Sequence, residues 1–462
     1  MQLAIALAII ASVLLPNHEV ELSRDSLGMR AVCSLLVSII PLIFARSFSR
    51  YIATENVETP KFVRSLRRFE RLFIVVWICA TAVLLGVFRW DLCVRGTWPI
   101  GESILLSQLA IFIPILGPVM TYWSIVAATE DRHIRALHDA NHRDDHQPTS
   151  LNWTDNLSVV WIQTRQMILL PAIPVMVILL VDDTLALIPA ASQYRVFLFG
   201  TLVAMLPFVL PLILRQLWRL ESLDDGETRE RIQSLIDRIE VNVSDICLWR
   251  TGNRCVNAAV AGAFRRSRIL LITDALLDSF SATELDAVVA HEMAHVKHRH
   301  VPTMLWSLVA AGLTAVMCSQ IIEQNSWNAL STEQTSLLIL VPVLATWLLL
   351  HRFISRSFEY QADLVACKHL SELHDSASPA NPPESSFTSF VGMLQKLAPV
   401  GATGSDWWHP SITSRIATLR EIKGNPERQR AFEARITAID RMVRGTVVFL
   451  ALVTIGLALI RL

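Results

Sequence analysis

Charge is scarce in this chain: Asp, Glu, Lys and Arg make up 18% of its 462 residues, where a soluble globular domain carries about 25%. With 52% hydrophobic residues as well, that deficit points away from a water-soluble fold and toward the lipid bilayer. Net charge is lacking too. The 41 basic and 41 acidic residues cancel, so no long-range field favours nucleic acid, and none is expected as a partner. Cysteine is sparse and scattered, at Cys33, Cys79, Cys93, Cys247, Cys255, Cys318 and Cys367. The odd count and wide spacing exclude a disulfide framework, and Cys247 and Cys255 lack CxxC spacing. The opening run MQLAIALAIIASVLLP has no basic n-region and no clear small-residue cleavage site, so it reads as a first membrane segment rather than a secretory leader.

Long apolar runs are abundant. A helix crossing the hydrocarbon core needs about 20 mostly apolar residues. Nine stretches qualify or nearly do: 2–16, 27–45, 72–88, 101–127, 161–181, 195–214, 301–322, 336–354 and 445–461. The first is short, and Pro114 and Pro118 are expected to break the fourth. Loop charge orients them, because Lys and Arg collect on the cytoplasmic side. The 46–71 loop holds Arg46, Arg50, Lys61, Arg64, Arg67, Arg68 and Arg71, whereas 182–194, with Asp182 and Asp183, and 323–335 hold no Lys or Arg. An N-in arrangement follows, with both large polar segments cytoplasmic. The expected division is a transmembrane region of about six spans over 1–214, polar segments at 215–300 and 355–444, a transmembrane hairpin at 301–354 between them, and a last span over 445–462. The absence of targeting signals suits a bacterial inner membrane.

Only the two polar segments have room for a folded domain. In 215–300, ESLDDGETRERIQSLIDRIEV reads as a polar helix, ICLWRTGNRCVNAAVAGAF as strand and turn, and RRSRILLITDALL as a strand. Ser281 and Glu284 then have the spacing of a capping box that starts a helix. That helix carries His291-Glu292-Met293-Ala294-His295. Positions i and i+4 share a helix face, so two imidazoles can hold one metal ion. Zinc lowers the pKa of a bound water to about 7, and Glu292 is placed to take the proton during attack on a carbonyl. Catalytic zinc needs a third protein ligand. Glu359, in SRSFEYQADLVA beyond the next pair of spans, is the candidate. Asp363, four residues on, is placed to accept a hydrogen bond from a ligand histidine.

Four blocks in order, NAAVAGAFRRSRILLITDALL, ELDAVVAHEMAHVKHRH, EYQADLVA and HPSITSRI, resemble the membrane zinc metallopeptidases related to CAAX prenyl protease type I and the HtpX-like proteases. The resemblance runs from about 250 to 420. It implies a mostly α, multi-pass membrane protein with a cytoplasmic zincin-like α+β metallopeptidase domain split by two transmembrane helices. It also implies one Zn2+ on His291, His295 and Glu359, with Glu292 as general base and Asp363 steadying a ligand. Asn257 would bind substrate backbone, and His409 and Arg415 would stabilise the oxyanion or hold substrate. In such enzymes an edge strand often pairs with the substrate, and the strand in RILLITDALL reads either as that edge strand or as an ordinary core strand. Read without the family, HPSITSRI is a Pro-started helix with a capping serine.

The expected activity is endopeptidase cleavage of membrane-associated or misfolded polypeptides. The alternative is a non-catalytic or sensor-type membrane protein that retains the fold, and the intact Glu292 weighs against it. Nothing in the sequence supports a prenyl specificity. The histidines of 129–147, His133, His138, His142 and His146, read as a solvated loop rather than a second metal site. His298 and His300 read as membrane-interface residues. Asn152 and Asn156 fit a glycosylation pattern that a cytoplasmic location makes moot.

Overall fold

A computed structural model describes residues 1–13, 24–54, 59–97, 103–141, 153–188, 194–251, 255–262, 264–324, 332–377, 384–397, 409–423 and 425–460. The chain forms two compact units, Met1–Leu206 and Pro207–Leu462.

The first unit is helical. It contains α1 (Gln2–Val13), α2 (Arg24–Thr54), α3 (Thr59–Ala82), α4 (Trp90–Thr97), α5 (Ile104–Asn141), α6 (Trp153–Gln163) and α7 (Leu170–Ala186). A π-helical turn, Thr164–Leu169, joins α6 to α7, and α8 (Arg195–Leu217) leads out of the unit. Its core is aromatic. Phe73 of α3 stacks on Tyr122 of α5 at 4.1 Å, and Trp77 donates to the Ile115 carbonyl at 2.7 Å. Asp183 caps the start of α5, accepting from Ser103 Oγ, Ile104 N and Leu105 N at 2.7–3.0 Å. Those amides have no partner within the helix, and the carboxylate's charge complements the helix dipole.

Three expectations change here. Pro114 and Pro118 do not break α5, which is continuous. A proline in a membrane helix is tolerated where its surroundings support the helix, and α5 is the most enclosed of the membrane helices. The basic 46–71 stretch is not a loop, because α2 and α3 extend through it to within four residues of each other. Seven helices among the described residues, not nine, are long and apolar enough to cross a bilayer: 26–52, 61–87, 104–130, 157–186, 300–322, 338–370 and 426–459. The first stretch makes a 12-residue helix, too short to span. The sixth lies in α8, where the described apolar helix is Phe208–Leu217. Large apolar side chains such as Leu36, Ile43, Phe449 and Leu452 are about 60% exposed on these helices, a surface stable in lipid rather than water. The protein is an integral membrane protein.

The second unit combines a small sheet with helices. After β1 (Glu221–Ser222) come α9 (Glu227–Arg238), β2 (Asp245–Trp249), β3 (Ala258–Ala261), β4 (Ile269–Thr273), α10 (Asp274–Ser279), α11 (Ala282–Lys297), α12 (His300–Gln324), α13 (Thr332–Ala377), α14 (Glu384–Leu397), α15 (Ile412–Ile422) and α16 (Pro426–Ile460). The sheet order is β1-β2-β4-β3, with β2 and β4 parallel and the outer pairs antiparallel. All five residues of β4 are buried. Leu270 and Ile272 enter the main core, while Ile269 and Leu271 pack with Cys247 and Trp249 on the other face. A strand covered on both sides needs an unbroken apolar run.

The strand of RILLITDALL is therefore central, not the edge. The edge strand beside the site is β3. Its run AAVA lacks the bulk that would have marked it, and a β-hairpin folds it back onto β4. At the turn Gly262 sits at φ +98°, where a Cβ would come within 2.5 Å of the Ser267 carbonyl oxygen, so glycine is required there.

Candidate metal centre

The site is assembled on α11. Ser281 caps its start: the hydroxyl accepts from Glu284 N, and the Glu284 carboxylate accepts from Ser281 N at 2.8 Å. Lys396 of α14 pairs with the same carboxylate at 2.8 Å. The apolar face of α11, including Leu285, Val288, Val289 and Met293, enters a core shared with Ile232 and Ile236 of α9, Leu270 of β4, Ala366 and Leu370 of α13, and Phe390 of α14. Met293 is fully buried, and truncating such a residue to Ala costs about 2–5 kcal/mol. That packing fixes the rotation of the helix and turns His291 and His295 toward α13.

His291 Nε2 and His295 Nε2 lie 3.3 Å apart. Each is 3.7 Å from an oxygen of Glu359, His291 from Oε2 and His295 from Oε1. Tetrahedral Zn2+ with ligands at about 2.0–2.1 Å requires donor atoms about 3.3 Å apart. The two imidazoles and one carboxylate thus fit a zinc ion in both spacing and donor type. Among the described residues this is the one group of three His, Cys, Asp or Glu so gathered.

Behind the three lies a charged network. Asp363, wholly buried one turn beyond Glu359, lies 3.0 Å from His291 Nδ1. Arg415 donates to both Asp363 oxygens, through Nε at 2.8 Å and through Nη2, and its Nη1 lies 3.3 Å from Glu359 Oε2. The arginine is set by α15, which Ser411 caps by accepting from Ser414 N, and which Tyr360 ties to α13 through a 2.7 Å bond to Ser414 Oγ. The capping-serine reading of HPSITSRI therefore holds, and the helix it starts places Arg415 beside Asp363 and Glu359.

Burial lowers the proton affinity of His291, but the hydrogen bond with Asp363 together with the charges of Asp363 and Glu359 outweighs this and leaves it raised. A more basic imidazole is a better metal ligand. Burial holds His295 well below the ordinary histidine range, aided by His291, so its ring is neutral with a lone pair available. Burial also pushes the Glu292 carboxyl up to about 7, reinforced by Glu359 and opposed by His291. That value suits a group that exchanges a proton near neutrality.

A cleft of about 670 Å³ opens onto these groups. Glu292 lines it, and among the described residues no hydrogen bond or ion pair engages its carboxylate. His409 stands at the rim, about half exposed, its Nε2 3.8 Å from Glu359 Oε1. The exposed Asn257 opens β3 on the same cleft. Its backbone is pinned by Thr273, which donates to Asn257 O from both N and Oγ1 and accepts Asn257 N. All eight residues expected from the sequence thus gather at one site: seven line the cleft and Asp363 lies behind them.

His300 is the residue sequence reasoning missed. At the start of α12 it is buried, stacked on Phe358 at 4.0 Å. Its Nδ1 is 2.8 Å from His295 Nδ1, and its Nε2 is 2.9 Å from Gln361 Oε1. Gln361 Nε2 continues the chain to His298 Nδ1 at 3.2 Å. One set of protons satisfies every link: His295 Nδ1–H donates to His300, His300 Nε2–H to Gln361, and Gln361 Nε2–H to His298. This arrangement leaves the His295 Nε2 lone pair directed at the metal centre. Arg299 brings His300 into place by turning the chain through a left-handed conformation at φ 55°, which costs a residue other than glycine about 1 kcal/mol.

The histidines of 129–147 gather no second site among the described residues. Residues 129–141 are the end of α5, His133 stacks on Phe62, and His142, His146 and Asn152 fall outside the described residues.

Residues 222–423 match the family model for peptidase family M48, and the resemblance found in the sequence is upheld. A protease HtpX homolog of Campylobacter hominis is 29% identical over 201 residues, which cover 38% of this chain and 64% of the relative. The protease HtpX of Actinobacillus pleuropneumoniae is 24% identical over 220 residues, 42% of this chain and 71% of the relative. CAAX prenyl protease 1 of Saccharomyces cerevisiae is 26% identical over 200 residues, 37% of this chain and 44% of the relative. The matches span just under two thirds of the first two curated relatives. The crystal structure of S. mikatae Ste24p superposes on 90% of this chain and 98% of its own, at 15% identity and a TM-score of 0.47.

Proposed function

From a chain whose residues 222–423 match peptidase family M48, we propose an integral-membrane zinc endopeptidase that hydrolyses membrane-associated or misfolded polypeptides, with its active site on the cytoplasmic face of a bacterial inner membrane. The observation that carries this reading is the convergence of His291, His295 and Glu359 beside the unengaged carboxylate of Glu292. When bound on those three residues, zinc supplies Lewis acidity that acidifies water and polarises a carbonyl.

The remaining roles fall to the chain's own side chains. Glu292 takes the proton from the attacking water and returns it to the leaving amine. Asp363 holds His291 through Nδ1, and Arg415 holds Asp363 and Glu359 together. The exposed His409 and the Nη1 end of Arg415 supply donors for charge developing on the carbonyl oxygen. β3 offers its free edge to an extended polypeptide backbone, with the Asn257 side chain adding a contact beside it. The polar segments 215–300 and 355–444 are the two parts of the peptidase domain in this reading, joined by the 301–354 hairpin. The spans of 1–214 and the one at 445–462 anchor it.

The test uses purified full-length protein in detergent. Glu292→Gln should retain one zinc per chain and lose about 10²–10⁴-fold in kcat on an unfolded model protein. In wild type kcat/KM should fall with falling pH, because protonating Glu292 removes the base. Wild type that binds no zinc, or a Gln variant that cleaves as fast as wild type, would refute the reading.

A further inference from the structure

The cleft carries positive charge that its chemistry does not use. The charged residues on its walls, histidines aside, are Arg268, Glu292, Arg299, Glu359 and Arg415. Glu359 belongs to the metal ligands, Arg415 is engaged by Asp363 and Glu359, and Glu292 serves the water. That leaves Arg268, which is itself engaged, and Arg299. Arg268 stands beside the β3–β4 turn, one of its donors on the Asn242 carbonyl. Arg299 stands at the corner between α11 and α12, exposed, with no ion pair among the described residues.

Arg299 has a well-fixed base. Its amide donates to the Val296 carbonyl at 3.1 Å, and its own carbonyl accepts from Thr303 N at 3.1 Å. Its neighbour His300 is locked between His295 and Gln361. The left-handed backbone at this corner would suit glycine better, yet the chain places a long cation there, on a rigid joint, in the wall of the cleft. A guanidinium so held offers paired donors matched to a carboxylate, while a substrate lysine would meet like charge.

We propose that Arg299 is a specificity-determining residue that selects polypeptide segments bearing an acidic side chain. This rests on the peptidase reading above. Glu or Asp on the substrate pairs with Arg299 once the extended segment lies along β3.

The experiment scans extended peptides in which each position in turn carries Glu or Lys. Cleavage is measured as kcat/KM with zinc-loaded wild type, and binding by fluorescence anisotropy with the zinc-loaded Glu292→Gln protein. At one position or more, the Glu peptide should exceed the Lys peptide about tenfold at low salt, the size of one partly screened ion pair. The ratio should shrink as ionic strength rises. Arg299→Gly, which the left-handed backbone accommodates, should bring the ratio to within about twofold of unity, and Arg299→Glu should invert it. Zinc content and melting temperature report whether each variant is folded. A ratio near one at every position in wild type, or an unchanged ratio in Arg299→Glu, overturns the proposal. If no peptide is cleaved while anisotropy keeps the acidic preference, the peptidase reading fails and the role of Arg299 stands.

Discussion

The two units bury polar groups in different ways. In Met1–Leu206 the buried polar side chains Ser12, Ser49, Gln108 and Thr129 are joined by single neutral bonds such as Ser49 to Thr129 at 2.6 Å and Gln108 to Ser12 at 2.8 Å, and the buried Asp91 is held in a local pair with Arg89 at 3.1 Å. They fasten helices to one another. Of the membrane helices, α5 is the most enclosed, 56% of its apolar window being buried against 11% for α13. In Pro207–Leu462 neutral groups such as Ser307 and Thr314 are buried too, but His291, Glu359 and Asp363 are buried beside them and linked with Arg415 into one charged network, which His300 joins through His295. Neutral fasteners cost little to bury and return little. Buried charges survive only as a complete set, because removing one member strands the others. A dense set of that kind marks a site rather than a scaffold.

That contrast predicts a graded series of effects. The largest is expected from Asp363→Ala. It leaves Arg415 without its main partner and should cost about 3–5 kcal/mol, read as a lowered Tm in detergent. The loss should persist in excess chelator, because it comes from the stranded guanidinium and not from the metal. A variant melting with wild type would dissolve the contrast between the units. An intermediate effect is expected from His300→Leu, which removes the group holding the proton on His295 Nδ1. Zinc affinity, measured by chelator competition, should fall about 10–100-fold. His300→Asn, whose side-chain oxygen accepts the same proton, should recover part of it, and equal losses in the two variants would reduce His300 to a packing residue. The smallest effect belongs to the first unit. Gln108→Leu should cost about 0.6 kcal/mol, the average for a hydrogen bond between membrane helices, with zinc content unchanged. A Gln108→Leu protein that loses its zinc would show that these fasteners govern the site.

Much of the site was legible because its residues repeat at helical spacing. His291 and His295 share a face of α11 whatever surrounds it, as Glu359 and Asp363 share a face of α13. The capping box at Ser281 announced where the first of these helices starts. Other features were closed to sequence reasoning for a physical reason. His300 lies five residues from His295, an offset that would not bring the rings together on one straight helix. Only the left-handed turn at Arg299 folds it back against Nδ1. The strand over 269–273 was visible as an apolar run, but whether it was central or at the edge depended on where β3 returned. Pro114 and Pro118 suggested a break because local rules omit the neighbours that support α5.

The sequence by itself determined the bilayer environment, the element types near the motif, and the identity of the groups able to hold and use a metal ion. Composition and short-range periodicity fix those properties without reference to distant contacts. Tertiary structure alone decided that Glu359 reaches the histidine pair, that Arg415 binds Asp363 and Glu359, that β3 holds the open edge, and that His300 backs His295. Each of these joins residues far apart in the chain or separated by a sharp bend. Their geometry comes from helix packing and strand order, which local patterns constrain but do not specify.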